Sequence, residues 1–420
     1  MKRVIAIALA AGLTPTVVAG RDLRVAPWNL GWHLSQAEAQ VWIDRCGAPF
    51  AFNEAASRWE PAASGTPGWQ LRWGRDARIL WDLSLLPPCD VFKANFRIVP
   101  ATPEAYRRRA GQIATVLGQR IGPDVIAFQE VSGEQAVREV LPDGGTSYHV
   151  CSFKDFKVQR LAFAWRRELG DASEPCSVNE ALSLPDLPPE DRVRPGLSLG
   201  LRIGGKLVRF LNVHLKSSCV SPLEAGDDED GRGALAGDNE ACRVLQRQVR
   251  PLEAWIEERS SGADGLVFLG DLNRNVWHEQ SRLETEPVRS DGSDPATPLP
   301  DGVRVRSLLA EVDDGEPEAS SLDLLEEVCS VSSNTARLCE KAKSARLSAD
   351  EARQVSAVEG LGCRNPVGLD HILISRNLTA LPAEKVALGA FGRTRAASGG
   401  RPDPLLAVSD HCPLATTIRF

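Results

Sequence analysis

Residues 266–275 read LVFLGDLNRN. Leu266, Val267, Phe268 and Leu269 have the length and composition of a buried strand, and Gly270 breaks it. Asp271 and Asn273 follow at once. Two residues apart on an extended chain, their side chains point the same way. A carboxylate, able to take a proton, and a carboxamide, able to hold an anionic oxygen, then leave a rigid strand end together. Chemistry is commonly placed at such ends. Asp and Asn are also ordinary turn-formers, so this stretch alone leaves a plain turn and a reactive centre both open. Comparable groups stand at other strand ends: Asn29, Glu130, His214, Asp370, and the pair Asp410 and His411.

The elements that would position them follow from pattern. Residues 23–30 suggest a strand with Asn29 at its end. Thr102 caps a helix with Pro103 at its first position. Tyr106, Ala110, Ile113, Leu117 and Ile121 recur there at helical spacing. Gly122-Pro123 ends the helix, and 124–130 is a buried-type strand delivering Glu130, so helix and strand form an α/β layer. Residues 148–150 and 161–165 read as further strands. Residues 197–203 and 207–213 flank Gly204-Gly205, a hairpin signal, and the second delivers His214. Residues 242–258 form a helix that Pro251 can kink. Residues 279–300 read as a polar surface loop, 320–360 as helical, and 369–375 and 414–420 as the last strands. No internal repeat is evident.

Between residue 31 and about residue 100 lies a segment with Trp32, Trp42, Trp59, Trp69, Trp73 and Trp81. Its Pro and Gly clusters argue for an irregular, loop-rich insertion. Burial is the commoner use of tryptophan, so these rings are read as a small core rather than a stacking surface.

The chain has 420 residues, 43% apolar and 25% charged, which suits one large core with insertions. Residues 1–20 have the shape of a signal peptide: Lys2 and Arg3, an Ala-rich apolar run, then small residues with cleavage near Ala19 or Gly20. Gly12, Thr14, Pro15 and Thr16 break that run, and it is short for a membrane span. Residues 21–420 are therefore read as one exported domain, periplasmic or secreted, with no stable membrane anchor and no protein partner. Ten cysteines, an even number, suit disulfides in such a compartment. Sequence-near pairing would give Cys46/Cys89, Cys151/Cys176, Cys219/Cys242, Cys329/Cys339 and Cys363/Cys412, one connectivity among many. No CxxC spacing supports a thiolate metal site. The acidic stretch 224–240 reads as a solvated loop without EF-hand spacing. The net charge is −7, and loss of Lys2 and Arg3 makes it more acidic. Phosphate chemistry then needs a metal or a local basic patch to offset repulsion.

Laid side by side, the stretches are WNL (28–30), QE (129–130), NVHL (212–215), GDLN (270–273), LDH (369–371) and SDH (409–411). In kind and order this set resembles the endonuclease/exonuclease/phosphatase superfamily, from about residue 23 to the C-terminus. The resemblance implies an α/β (α+β) fold of the DNase I type: a four-layered sandwich, two packed mixed β-sheets flanked by helices. It implies a site where the loops of the two sheets meet. There Glu130 would ligate a divalent metal, usually Mg²⁺ with Mn²⁺ or Ca²⁺ as alternatives, with Asn29 nearby and Asp410 assisting. A hard cation wants oxygen ligands, and it would neutralise phosphate charge. Asp271 would orient or deprotonate the attacking water, and Asn273 would hold a phosphate oxygen. Asp370 would orient His411, and His214 would donate to a phosphate oxygen. Either Asp271 or His411 could be the base. Arg160 is a further candidate for phosphate contact. His371 alternates away from Asp370 and is read as structural; His33, His149 and His278 match no motif.

The implied activity is that of an exported metal-dependent phosphodiesterase, a nuclease acting on DNA or RNA. The alternative substrates are sphingomyelin and inositol phosphates. A non-enzymatic scaffold is disfavoured by the full set of acidic, amide and histidine residues. The insertion that leaves directly after Asn29 departs from compact members of the superfamily. It should sit beside the cleft and narrow substrate choice.

Overall fold

Two sheets carry the reactive strand ends. In the first the strand order is Glu327–Cys329, Ala383–Lys385, Leu414–Arg419, Asp22–His33, Val125–Val131, Arg160–Arg166 and Tyr148–Ser152, with Thr379–Ala380 also paired to Leu414–Arg419. In the second it is Glu174–Asn179, Gly196–Ile203, Lys206–His214, Gly265–Asp271, Asp370–Ser375 and Leu322–Leu324. Both are mixed: Asp22–His33 runs parallel to Val125–Val131 and antiparallel to Leu414–Arg419. Lys206–His214 runs parallel to Gly265–Asp271, which is antiparallel to Asp370–Ser375. This computed structural model describes residues 22–72, 85–226, 233–281, 305, 307–313 and 317–420. The signal-like segment, Trp73, Trp81, part of the acidic stretch and most of 279–300 lie outside the described residues.

Three apolar clusters define the layers. Val25, Val125, Ala127, Phe163, Leu199, Phe210, Val267, Leu269 and Ile372 meet between the sheets. Trp28, Ile126 and Phe128 face outward onto Ile113 and Val116 of helix Pro103–Val116 and Val137 of helix Glu134–Val140. Leu211, Phe268 and Leu373 face outward onto Leu245, Val249 and Trp255 of helix Glu240–Ser260. Successive strand residues point to opposite faces, so strands covered on both sides read as unbroken apolar runs. The layers are helix, sheet, sheet, helix, as the motif resemblance implied. Polar bonds also join the sheets: Asn212 Nδ2 donates to the carbonyls of Phe128 (3.0 Å) and Ala162 (3.2 Å), and Gln129 Nε2 donates to Asn212 Oδ1 (2.8 Å).

The insertion is more regular than its Pro and Gly content suggested. Helix Gln36–Gly47 starts at a capping box between Ser35 and Glu38 and buries Ala39, Trp42 and Cys46. Three short strands, Pro49–Asn53, Arg58–Pro61 and Thr66–Pro67, form a small sheet, and Lys93–Ala94 pairs with Arg97–Ile98. The Pro and Gly clusters mark turns between these pieces. Trp42 is buried with Phe50, Leu71 and Phe92, and Trp32, Trp59 and Trp69 pack against that cluster. The expected small tryptophan core is there. Within 320–360 two strands, Leu322–Leu324 and Glu327–Cys329, precede helices Ser333–Ser344 and Ala349–Ser356, where helix alone was expected. These strands are too short to show an alternating pattern. The five disulfides join Cys46–Cys89, Cys151–Cys176, Cys219–Cys242, Cys329–Cys339 and Cys363–Cys412, the sequence-near pairing.

Candidate active site

Strand register sets the site. His214 lies opposite Asp271, and Asp271 opposite Asp370, so three neighbouring strands of one sheet offer these groups in a row. On the other sheet Asn29 pairs with Gln129, and the register then shifts before His33. Glu130 (φ 56°), Gly31 (φ 56°) and Trp32 (φ 59°) all take left-handed backbone there. Asn29 is thus not a strand terminus: the strand continues through an irregularity to His33. Non-glycine residues in this region are held at a cost of order 1–3 kcal/mol each and cluster at functional sites.

Gly270 has φ 139°, and a β-carbon on it would fall 2.2 Å from the Val213 carbonyl oxygen. Only glycine lets the two parallel strands meet there. Beyond it the chain does not stay extended. Asn273 has φ 50°, and its backbone N–H donates to Asp271 Oδ1 at 2.9 Å. Turn-former and site residue are one arrangement: Asp271 closes its own turn with one carboxylate oxygen and turns the other to its neighbours. Asn273 Nδ2 donates to the Leu215 carbonyl at 3.0 Å.

Asp271 Oδ2 accepts from Asn29 Nδ2 at 2.9 Å and lies 3.5 Å from His214 Nε2 and 3.8 Å from His411 Nε2. Burial raises the Asp271 pKa to about 6; His411 and the Asn29 bond counter burial, and Asp370 adds to it. His411 Nδ1 lies 3.1 Å from Asp370 Oδ2. Its backbone N–H donates to Ser409 Oγ (2.9 Å), and its carbonyl accepts from Trp28 Nε1 (3.1 Å). Burial opposes a charge on His411, but Asp370 and Asp271 outweigh it and push the pKa up to about 10. Burial likewise opposes ionisation of Asp370, yet Lys385, with Nζ at 3.1 Å, and His411 hold it below the usual carboxylate range. A protonated His411 can donate but not accept, whereas Asp271 can accept above about pH 6.

His214 is kept neutral: burial lowers its pKa well below the usual value, and Arg194 and His411 add to this. Its Nε2 is 3.7 Å from Glu130 Oε1, and its buried Nδ1 has no hydrogen-bond partner among the described residues. Glu130 accepts from Asn29 Nδ2 (3.3 Å) and from the Trp32 N–H (3.0 Å). Asn29 Oδ1 accepts from the Gly31 N–H at 2.9 Å. Asn29 therefore bridges two carboxylates through its nitrogen, with its oxygen turned to the main chain. Asp410 Oδ2 accepts from Arg364 (2.6 Å) and Asn365 (3.1 Å). Burial opposes ionisation of Asp410, but His411 and Arg364 keep its pKa low.

Glu130, His214, Asp271, Asn273, Asp410 and His411 line one cleft of about 790 Å³. Asp370 sits behind His411. Arg160 is not in this cleft: its guanidinium donates to the carbonyls of Ser132 and Phe156 and lines a separate cavity with Glu38. His371 is bound between Glu327 (2.7 Å) and the Arg274 carbonyl (3.0 Å), a structural place as read. Several cleft groups had no motif to announce them: Arg194, which donates to Gln159 Oε1 at 2.6 Å, and Arg364, Asn365 and Arg393. Lys385 also escaped, since a single cation in a short strand carries no sign of its partner. Pro88 and residues 90–95 form a wall of the cleft, so the insertion stands beside the site.

Glu130, its side chain 13% exposed, and Asp410 bring hard oxygen donors to the cleft wall. That donor chemistry fits a divalent cation such as Mg²⁺. Asp271, Asp370 and His411 also cluster within 4.8 Å. There Lys385 already supplies a cation to Asp370, and this trio suits proton handling better than metal binding. Among the described residues no helix is long and apolar enough to cross a membrane.

Residues 81–411 match the model of the endonuclease/exonuclease/phosphatase family. Among solved structures, an endonuclease/exonuclease/phosphatase family protein from Bacteroides thetaiotaomicron is 13% identical, with 96% of this chain and 98% of that chain covered and a TM-score of 0.46. A mannosyl-6-phosphatase from the same organism is 15% identical over 74% of this chain and 91% of its own, with a TM-score of 0.41. ANGEL2, a 2',3'-cyclic phosphatase, is 14% identical over 96% and 97%, with a TM-score of 0.42. No curated protein matches the sequence.

Proposed function

Since the chain belongs to the endonuclease/exonuclease/phosphatase family, whose members are phosphoric-ester hydrolases, we propose that it is an exported, divalent-metal-dependent nuclease acting on DNA or RNA. One observation carries the reading. Asp271, with a pKa of about 6, is held by Asn29 in the cleft opposite an imidazolium that Asp370 sustains, Lys385 keeping that Asp370 ionised. That is a base and an acid poised side by side at neutral pH.

In this mechanism Asp271 aligns water and takes its proton as the oxygen attacks phosphorus. The bond to the leaving oxygen breaks, and that oxygen takes a proton from solvent. His411 donates to a non-bridging oxygen as charge builds on it, and neutral His214 donates to another. Asn273 steadies the phosphate with the N–H that does not bond Leu215. Asn29 fixes the spacing of Glu130 and Asp271. A Mg²⁺ held by Glu130, with Asp410 beside it, would neutralise the phosphate.

Cations offset the carboxylates of this cleft: Lys93, Arg194, Arg364 and Arg393 line it beside Asp90, Glu130, Asp271 and Asp410, with Lys93 paired to Asp90 and Arg364 to Asp410. That offset, with a metal at Glu130, is what lets an acidic chain take a phosphodiester. Export is supported by five disulfides together with the signal-like N-terminus. A substrate panel of plasmid, single-stranded DNA, RNA, sphingomyelin and inositol phosphates tests the reading. Nucleic acid should be cleaved, EDTA should stop it, and Mg²⁺ or Mn²⁺ should restore it. Cleavage of lipid or inositol phosphate alone contradicts the nuclease reading, and full activity in chelator contradicts the metal.

A further inference from the structure

The hairpin Lys93–Ala94/Arg97–Ile98 closes through a two-residue loop, Asn95-Phe96. Both loop residues have positive φ, 49° and 62°. Such loops ordinarily place glycine at the second position. A bulky aromatic in left-handed backbone is an outlier, and outliers persist where function demands them. The Phe96 side chain is also fully exposed, with a relative exposure of 102%. Strain and exposure both disfavour phenylalanine here.

The loop is neither frayed nor remote. The Val99 N–H donates to the Phe92 carbonyl at 2.8 Å, Phe92 and Val99 are buried, and Lys93 pairs with Asp90 at 2.7 Å. Four residues before Lys93, Cys89 is tied to Cys46. Lys93, Ala94 and Asn95 line the same cleft as Asp271 and His411. The ring therefore stands on a firm mount one residue beyond Asn95 of the cleft wall, with Arg97 next in sequence and Lys93, paired to Asp90, on the facing strand.

We propose that Phe96 is a stacking platform for a nucleobase beside the bond that is cut, making this chain selective for unpaired nucleic acid. This deepens the nuclease reading and rests on it. A base within a duplex keeps its faces against its neighbours; a single strand offers them to an aromatic ring, while adjacent cations track the backbone. A lipid surface is the poorer match, because Asn95 shares the tip and Arg97 follows, leaving Phe96 as the only bulky apolar group of the loop.

The test compares wild type, Phe96→Ala and Phe96→Trp. The substrates are a short single-stranded oligonucleotide, its duplex, and a counterpart with abasic sites around one cleavable phosphodiester; phosphatidylcholine vesicles test membrane binding. Wild type should prefer the base-containing strand over the abasic one by about tenfold in KM, a factor within what a stacked base supplies. Phe96→Ala should erase that preference with kcat on the strand within about twofold, and Phe96→Trp should restore it. The exposed position makes loss of fold a minor risk, checked by melting temperature. If wild type cuts the strand and Phe96→Ala keeps the preference, the stacking role is overturned while the nuclease reading stands. If Phe96→Ala instead loses vesicle binding, the loop serves a membrane and the role is overturned. If wild type cuts no oligonucleotide, the nuclease reading fails and the stacking role with it.

Discussion

Asp271 is the residue on which chemistry and stability pull in opposite directions. Its folded pKa is raised to about 6, so the folded state binds the proton more tightly than the unfolded chain does. Above that pH the ionised carboxylate destabilises the fold, by up to about 3 kcal/mol if the whole shift is realised. Asp271→Asn should therefore melt higher than wild type at pH 7 while losing turnover, the trade-off expected of a strained site. Differential scanning calorimetry checks it, and a lower melting temperature contradicts the shift. His411 has the opposite sign. With a folded pKa of about 10, its charge stabilises the protein fully below the unfolded value near 6.5. That stabilisation fades as pH rises through 10. His411→Gln should then lose stability at pH 7, with the gap to wild type closing above about pH 10; denaturant midpoints across pH test this. In sequence, Asn29, Glu130, His214, Asp271, Asp370 and His411 were legible because each belongs to an ordered set of motifs, and the fold brings them together, although Asn29 lies within its strand and His411 in a loop. Arg160 shows the limit, since a guanidinium written near a strand carries no record of which carbonyls it will reach. Lys385 and Arg194 are the reverse case, important neighbours with no motif.

At the scale of elements, the site is three strand ends in register and one loop clamped to them. Segment 363–365 holds that loop by a disulfide, the Asn365 N–H to the Asp410 carbonyl (2.7 Å), and the side chains on Asp410. Behind it, Lys385 and Asp370 form a buried pair, each almost fully excluded from solvent. Lys385→Met should destabilise the fold by about 3–5 kcal/mol, as expected when one partner of a buried pair is removed. It should also lower the acid strength of the His411–Asp370 unit; a change under about 1 kcal/mol contradicts this coupling. Gly270→Ala should be at least as damaging, since the new carbon meets the Val213 carbonyl. The long inner strands of both sheets were legible as apolar runs, whereas Glu174–Asn179, Leu322–Leu324, Glu327–Cys329 and Ala383–Lys385 were not. The helix Gln36–Gly47 was missed because Pro and Gly on its flanks outweighed a Ser35–Glu38 cap and an Ala39, Trp42, Cys46 face that were both readable.

Across the whole molecule, the family resemblance implied the four layers, whereas composition alone could not. Pairing between distant strands, such as Asp22–His33 with Leu414–Arg419, leaves no local mark. Cys46–Cys89 closes the insertion on itself, whereas Cys151–Cys176 joins a strand of one sheet to a strand of the other. Reduction under native conditions should lower the melting temperature markedly, at about 2–5 kcal/mol for each native bridge lost. An unchanged melting curve with thiols shown to be free would contradict their structural weight. The central claim is that Asp271 drives phosphoester hydrolysis in the cleft. The most direct measurement is kcat for wild type and Asp271→Asn on a single-stranded oligonucleotide with saturating Mg²⁺. A loss of about 10²-fold or more with the fold retained is expected; a variant within a few-fold of wild type would contradict the claim.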